Sequence, residues 1–174
     1  MFHNLNATSI ADIYVANKTD SHDLEWIVYD LYGDLLMNCP TYLFAKNYAL
    51  NTGANKHSNV YFYEQTYRRA YGKDDPMARF GVTHGADIDF VFGLSFIKPL
   101  KTDTEIYVQF SRQVMKMWTD FAKYGKPNND WPNLIDLNNP KRVSKVYNLN
   151  PNSTVDIFDN LFAKTCDGYW KDYY

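Results

Sequence analysis

The sequence predicts an α/β fold, because helical and strand patterns alternate along its 174 residues. Apolar residues recur at helical spacing early in the chain and again after residue 104. Between these segments, Asn59–Thr66 is β-branched and aromatic without polar alternation, as expected for a strand that is covered on both faces. Two helices followed by a buried strand predict layers of helix and sheet rather than an all-helical bundle.

Length and composition favour one globular domain. The chain can bury a substantial core, and 45% of its residues are hydrophobic. Its net charge of -2 provides no broad cationic field, so neither nucleic acid nor an anionic membrane surface is expected as a partner. No apolar run approaches the ~18 residues that span a bilayer, and no transmembrane segment is predicted.

The N-terminal part is predicted to contain a connector and two helices. Residues 1–20 show no periodic pattern and are expected to form a poorly structured connector. A helix should follow over residues 21–33, capped by Asp20 or Ser21, and a second should run from Pro40 to Gly53 with Cys39 at its entry. Their inward faces are expected to carry Leu24, Val28, Leu31 and Leu35 in the first helix, and Leu43, Phe44 and Tyr48 in the second.

The buried strand lies between two polar connections. Asn55–Ser58 has the composition of a turn, and Tyr67–Pro76 mixes arginines with aromatic residues. Such a mixture can bind single-stranded nucleic acid, but the neighbouring acidic residues and the short length favour a solvated loop.

His84 is the candidate functional residue. It stands between Gly81 and Gly85, which permit a tight loop, and ahead of an apolar run, Ile88–Phe92, that is expected to be buried. Imidazole titrates near neutral pH and serves as a general base when it is held in place. A hydrogen-bonded structural histidine is the alternative, although a strand-to-helix connection is a common position for functional groups in α/β sheets.

The C-terminal half is predicted to hold a long helix, a strand and a last helix. After an irregular link over residues 94–101, the capping-box pattern Thr102–Glu105 should open a helix that ends at Gly125. Residues 142–149 are expected to form a short edge strand, and Ser153 or Thr154 should cap the last helix. The predicted inward stripes are Ile106, Phe110, Val114, Met117 and Phe121 in the long helix, and Phe158, Phe162, Cys166, Tyr169 and Trp170 in the last.

The partners that a histidine base needs are not evident in this chain. A Gly-x-Ser-x-Gly elbow is absent, and Ser95 is a poor nucleophile because the closing glycine is missing and it follows the histidine. Asp87 and Asp89 are read as charges that favour a helix N-terminus. No motif has metal-ligand spacing, so neither a metal nor another cofactor is expected.

Two sequence features bear on the cellular compartment. Three sequons make Asn6, Asn17 and Asn152 candidate glycosylation sites, although about two are expected by chance in this composition. Cys39 and Cys166 either pair across the chain or remain buried thiols, and residue chemistry alone leaves both possibilities open.

Several motifs in order resemble one family. Gly81–Gly93, with its Val-Thr-His-Gly core, is similar to the histidine motif of the type-B carboxylesterases, the α/β-hydrolase family that includes cholinesterases and cholinesterase-like adhesion proteins. Further similar landmarks, covering about residues 10 to 174, are Gly33-Asp34, Cys39-Pro40, Val60–Tyr63, Met117–Asn128, Trp131-Pro132, and Cys166 with Trp170. Their number and order make the resemblance specific.

The resemblance implies both a fold and a function. The chain would be the C-terminal part of an α/β-hydrolase fold, with helices packed on the end of a mostly parallel sheet. His84 would be the triad histidine of a serine esterase, and Cys39 would pair with Cys166 in a disulfide. In this family the nucleophile, oxyanion loop and triad acid lie upstream, so residues 1–174 alone are expected to be inactive. A small-molecule ester and the remaining N-terminal part of the same domain are the implied partners, and an extracellular location is expected.

One departure refines the expected substrate. Cholinesterases have an aromatic residue after the His-Gly pair, where this chain has Ala86. The site would therefore lack one ring that could face a quaternary ammonium group, which favours a carboxylic-ester hydrolase of broad or unknown substrate. The alternative is a non-catalytic adhesion or interaction domain of the same family.

Overall fold

The computed structural model describes residues 5–16, 20–52, 59–72, 74–128 and 130–174. The helices are α1 (Ala7–Tyr14), α2 (Ser21–Gly33), α3 (Cys39–Thr52), α4 (Ile88–Val91), α5 (Leu94–Ile97) and α6 (Glu105–Tyr124). The strands are β1 (Tyr63–Gln65), β2 (Lys145–Leu149) and β3 (Ile157–Asp159). A π-helical turn covers Asp34–Asn38, and 3-10 turns cover Ala78–Phe80 and Trp170–Tyr173. None of the described helices is long and apolar enough to cross a membrane.

The prediction of a connector over residues 1–20 is wrong where the structure describes this segment. Asn6 caps α1 by accepting a hydrogen bond from the backbone N–H of Ser9. Tyr14, at the end of α1, donates to the Asp34 carboxylate at 2.8 Å and accepts from the Trp170 indole at 2.6 Å. Apolar periodicity does not predict this helix, because a helix as short as α1 is stabilised by tertiary contacts rather than by its own sequence pattern.

The two early helices are confirmed, but they are not separate. Asp20 caps α2, and the π-helical turn joins α2 to α3 without a break, because Gly33 keeps helical angles. Cys39 begins α3 as predicted, whereas the predicted end at Gly53 and the turn at 55–58 lie outside the described residues.

The inward faces of these helices are only partly as predicted. Leu43 is buried, and Leu31 and Leu35 pack against the core, but Leu24, Val28, Phe44 and Tyr48 are 39–72% exposed. Ile27 is instead the buried residue of α2. A stripe of apolar residues predicts that a helix forms, whereas the burial of that stripe depends on which part of the protein packs against it.

The sheet has three strands in the order β1-β2-β3. β1 runs parallel to β2 with Tyr63 opposite Tyr147, and β2 runs antiparallel to β3 with Tyr147 opposite Ile157. β2 therefore lies in the centre of the described sheet, and its assignment as an edge strand is wrong. The third strand of the sheet, β3, is absent from the prediction because residues 153–170 have a helix-like spacing of apolar residues.

The strand predicted over Asn59–Thr66 is shorter in the structure, where β1 covers Tyr63–Gln65. Alternate residues of this segment pack on opposite sides, as predicted for a strand that is covered on both faces. Val60 and Phe62 contact a first core cluster that contains Cys39, Tyr42 and Trp170. Tyr61 and Tyr63 contact a second cluster, formed by Phe90, Tyr107, Phe110, Val114, Trp131 and Leu149. The sheet thus separates two packed layers, and the α/β prediction is confirmed.

Helix α6 covers the second cluster. Its N-cap is Thr104, which accepts from the Tyr107 N–H, so the predicted capping box at Thr102 does not form. Phe110 and Val114 are buried as predicted, whereas Ile106 and Phe121 are about half exposed, at 51% and 50%. Gly125 ends the helix with a positive φ of 70°, as predicted.

Two segments differ in type from their predictions. Leu94–Ile97, expected to be irregular, forms α5. The predicted last helix is wrong, because β3 and a series of turns replace it, and Asn160 has a positive φ of 53° that a regular helix excludes. Phe162, Cys166 and Trp170 are nevertheless buried, since i-to-i−4 hydrogen bonds in these turns preserve a helical spacing.

Candidate active site

The loop that carries His84 is built on two glycines with positive φ. Gly81 has φ 64°, and a Cβ atom there would lie 3.1 Å from the Trp26 ring, so α2 approaches the loop closely. Gly85 has φ 82°. Backbone hydrogen bonds from Ala86 to Thr83 and from Ile88 to Gly85 shape the turn around His84, whose side chain is exposed. The glycine spacing predicted this tight loop, whereas the contribution of Trp26 was not recognised.

Helix α4, which follows the turn, is anchored by one ring. Phe90 is fully buried, with its ring centroid 4.8 Å from that of Tyr107 and 4.9 Å from that of Phe110. Ser111 also donates to the Phe90 carbonyl at 3.2 Å. Ile88 and Phe92, in contrast, are 52% and 65% exposed, so the expectation that the whole run is buried is wrong. A short helix buries one face, and these two side chains lie on the other.

Both acidic residues after His84 accept hydrogen bonds from tyrosines. The Tyr63 hydroxyl, from β1, donates to Asp87 at 2.8 Å, and the Tyr71 hydroxyl donates to Asp89. The prediction assigned these carboxylates only to the helix N-terminus, where Asp87 is indeed the N-cap residue of α4. Neither tyrosine was recognised as a partner, because sequence spacing does not report contacts between distant segments.

The loop before His84 is not fully solvated, which corrects its prediction. Arg69 is only 3% exposed and pairs with Asp103, and its guanidinium also donates to the Lys98 carbonyl at 2.9 Å. Burial raises the pKa of Asp103, but the hydrogen bonds from Arg69 and the Leu100 N–H outweigh it and hold this pKa below its ordinary value. Arg68 pairs with Asp75 at 2.7 Å. The pair of Arg69 with Asp103 ties the loop to the segment that enters α6, and the pair of Arg68 with Asp75 lies within the loop itself.

Two cavities adjoin His84. A cavity of about 390 Å³ is lined by His84 and Ala86 together with Arg68 and Tyr71. A larger one, of about 600 Å³, is lined by His84, Asp87 and Glu64 and by the inner face of α2. Burial, with a smaller contribution from the charge of Asp34, raises the pKa of Glu64 to about 7. The imidazole therefore lies between two concave surfaces.

A nucleophile and an orienting carboxylate are not found beside the imidazole in the described part of the chain. No hydrogen bond or ion pair to the His84 ring occurs among these residues. Ser95 is 6% exposed, and its hydroxyl has no hydrogen-bond partner there. The arrangement can accept and donate a proton at an exposed ring, but by itself it does not form a triad.

The cysteines lie away from His84, in the first core cluster. Cys39 and Cys166 form a disulfide with their Cα atoms 4.9 Å apart, as the resemblance implies. Asp34 lies near both sulfur atoms, but sulfurs joined in a disulfide are not thiolate ligands, so this group is not a metal site. Of the sequon residues, Asn6 and Asn152 are exposed, and Asn17 lies outside the described residues.

Comparison with known proteins gives a family. The chain matches the model of the carboxylesterase family over residues 3–167. It belongs to the carboxylesterase family.

Individual relatives are similar over most of this chain. Acylcarnitine hydrolase of Rattus norvegicus is 32% identical over 126 residues, which are 70% of this chain and 21% of the relative. Cholinesterase of Mus musculus is 32% identical over 148 residues, which are 82% of this chain and 22% of the relative. Carboxylesterase 5A of Homo sapiens is 33% identical over 131 residues, which are 71% of this chain and 22% of the relative. The chain thus spans about a fifth of the length of these proteins.

Proposed function

We propose that this chain supplies the acid-base histidine, His84, of a carboxylic-ester hydrolase that works through an acyl-serine intermediate. The main support is the placement of His84, whose exposed ring lies on a loop tied to α2, β1 and α6 and borders two cavities. Membership in the carboxylesterase family and the similarity to a cholinesterase and an acylcarnitine hydrolase support an ester or acyl substrate. The presence of His84 favours this function over that of a non-catalytic interaction domain.

The proposed chemistry assigns two proton transfers to His84. Its imidazole takes the proton of a serine hydroxyl as that oxygen attacks the ester carbonyl, and then gives the proton to the leaving alcohol. Water is activated by the same ring in the second half of the cycle, which releases the carboxylic acid and restores the serine. The small side chain of Ala86 leaves room beside the imidazole for substrates of varied shape.

The serine, the oxyanion hole and the triad acid would come from the remaining N-terminal part of the same domain. Apolar side chains that remain exposed on the described helices and turns support such a partner, because exposed apolar surface commonly marks a contact surface. They include Leu36 at 56%, Phe44 at 72% and Phe92 at 65% exposure. Residues 1–174 expressed alone should therefore not hydrolyse esters.

The test compares His84→Ala with His22→Ala in the intact protein, using a p-nitrophenyl ester. His22 is a matched control, because it is also exposed but lies on α2 and bonds to Trp26. We expect His84→Ala to lower kcat by about 10⁴-fold or more, as triad residues do, and His22→Ala to stay within about twofold. Turnover that persists in His84→Ala, or turnover by residues 1–174 alone that this substitution abolishes, would contradict the proposal.

An extracellular location is part of the proposal. The Cys39–Cys166 disulfide supports it, because such bonds persist in oxidising compartments. Asn6 and Asn152 are exposed and accessible to glycosylation. The Asn6 side-chain oxygen caps α1, and a glycan on its nitrogen would leave that oxygen free to accept the Ser9 hydrogen bond.

A further inference from the structure

Tyr63 connects strand β1 to the turn that carries His84. Its ring lies edge-on to Trp118, with centroids 5.2 Å apart, and edge-on to Trp131 at 6.1 Å. These contacts hold the ring from α6 and from the loop after it. The hydroxyl is therefore presented at a fixed point, where it donates to the Asp87 carboxylate at 2.8 Å.

Asp87 transmits this position to His84. It is three residues after the histidine, and its carbonyl accepts from the Phe90 and Val91 N–H groups in the first turn of α4. The backbone hydrogen bond from Ile88 to Gly85 spans Asp87, so the backbone of Asp87 belongs to the same turn as His84. Asp87 and His84 also line the same 600 Å³ cavity.

The chemistry of the pair suits a permanent anchor. Burial first, and the hydrogen bond to Asp87 second, raise the pKa of the Tyr63 hydroxyl well above its ordinary value, so the hydroxyl keeps its proton and remains a donor at neutral pH. A hydrogen bond to a carboxylate is also stronger than one between neutral groups.

We propose that Tyr63 is a positioning residue, which holds the His84 imidazole in its reactive place through a hydrogen bond to Asp87. This inference rests on the proposed role of His84. Tyr63 does not touch the reacting atoms, so its loss should slow the proton-transfer steps more than it weakens substrate binding. A misplacement of about 1 Å can reduce turnover 100-fold, and a partial loss of the anchor should cost about 10- to 100-fold in kcat.

Tyr63→Phe is the direct test, and Tyr61→Phe is its control. Both tyrosines lie on the same side of the same strand segment and pack against the second cluster. The Tyr61 hydroxyl has no hydrogen-bond partner among the described residues, so the control removes the same atom without breaking an anchor. We expect Tyr63→Phe to lower kcat by about 10- to 100-fold with KM within about twofold, while Tyr61→Phe leaves both within about twofold.

A double-mutant cycle tests the route through Asp87. If the hydrogen bond carries the effect, Tyr63→Phe should add less than about twofold to the loss already caused by Asp87→Ala, which removes the acceptor. Equal kinetics of the two tyrosine variants, or fully multiplicative losses in the cycle, would overturn the proposal.

Amide hydrogen exchange separates this inference from the proposed function. Residues 83–91 should exchange about tenfold faster in Tyr63→Phe than in wild type or Tyr61→Phe, because the turn hydrogen bonds open more often. Unchanged exchange overturns the anchor whatever the activity. If His84→Ala remains active while exchange responds as expected, the proposed function is wrong, and so is the role of Tyr63 in catalysis. The structural conclusion that Tyr63 anchors the turn would still hold.

Discussion

At the scale of single residues, Glu64 makes an unusual contribution to pH dependence. It lies on β1, lines the larger cavity next to His84, and has its pKa raised from 4.5 to about 7 by burial and by Asp34. In the unfolded chain the same carboxyl group ionises near its ordinary pKa. At a pH between these two pKa values, the protein takes up a proton on folding. The free energy of unfolding therefore falls as the pH rises through this range.

Glu64→Gln tests the sign of this effect. Below about pH 4.5 the carboxyl is protonated in both states, so wild type and variant should have similar free energies of unfolding. The wild type should lose stability as the pH rises from about 4.5 to about 7, and above pH 7 the variant should be more stable by up to about 3 kcal/mol. Urea unfolding at pH 4, 6 and 8 measures the difference.

Glu25→Gln serves as the control for this comparison, because the Glu25 side chain is 47% exposed and lies 3.4 Å from Arg79. The Tyr29 hydroxyl also donates to Glu25, and a glutamine oxygen can accept the same hydrogen bond. Its difference from wild type should stay within about 0.5 kcal/mol at all three pH values. A Glu64→Gln curve parallel to that of wild type would show that the carboxyl is ionised in the folded protein.

The sequence could predict the tight loop that carries His84, but not the groups that hold this loop in place. Two glycines around one histidine are readable in a single segment. Tyr63 and Asp87 are 24 residues apart, and Tyr14 and Trp170 are 156 apart, so their hydrogen bonds depend on the completed fold. Tyrosines in an apolar strand look like core residues, and nothing local reveals where their hydroxyls point.

At the scale of elements, two glycines at helix ends, Gly93 and Gly125, differ in what surrounds them. Gly93 separates α4 from α5 with φ 63°, and a Cβ atom there would lie 2.8 Å from the Met115 sulfur and 3.1 Å from the Phe96 ring. Gly125 ends α6 with φ 70°, and nothing lies within 4 Å of the same added atom. Alanine at Gly125 therefore meets backbone strain alone, whereas alanine at Gly93 meets both backbone strain and steric crowding.

Gly125→Ala should cost about 1 kcal/mol in the free energy of unfolding, which is the price of a left-handed conformation for alanine. Gly93→Ala should cost about 2 to 3 kcal/mol, because Met115 and Phe96 must also shift. Urea unfolding of both variants measures these values. Equal costs would mean that the thioether of Met115 moves aside freely and that packing between α4, α5 and α6 is loose.

The sequence predicts the type of an element correctly where the local pattern of residues is compatible with only one structure. The glycine at the end of α6 and the Asp20 cap of α2 are such cases. Residues 153–170 are not, because their apolar spacing fits both a helix and the observed strand and turns. The strand assignment depends on pairing with β2, and the exposure of Phe44 depends on what faces α3; neither is encoded locally.

At the scale of the whole molecule, the start of α3 and the C-terminal segment form one packed unit. Cys39 and Cys166 are both fully buried, next to Tyr42 and Trp170. Asp167 accepts hydrogen bonds from Tyr42 at 3.0 Å and from Lys46 at 2.6 Å. Non-covalent contacts therefore already hold this end of the chain in place, and the disulfide adds a constraint mainly on the unfolded chain.

Replacing both cysteines by alanine isolates that constraint. The bond joins residues 127 positions apart, and closing so long a loop stabilises the folded state by about 4 to 5 kcal/mol in the chain-entropy model. Alanine avoids placing a hydroxyl in a fully buried site, so the loss should come from the missing link and a small cavity. The variant should unfold at a clearly lower urea concentration than oxidised wild type, and wild type in reductant should approach the variant.

A thiol titration checks the pairing itself. Unfolded, unreduced wild type should have no free thiol, and two free thiols would contradict the disulfide. If the double variant and oxidised wild type were equally stable, packing around Trp170 and Asp167 alone would hold the C-terminal segment.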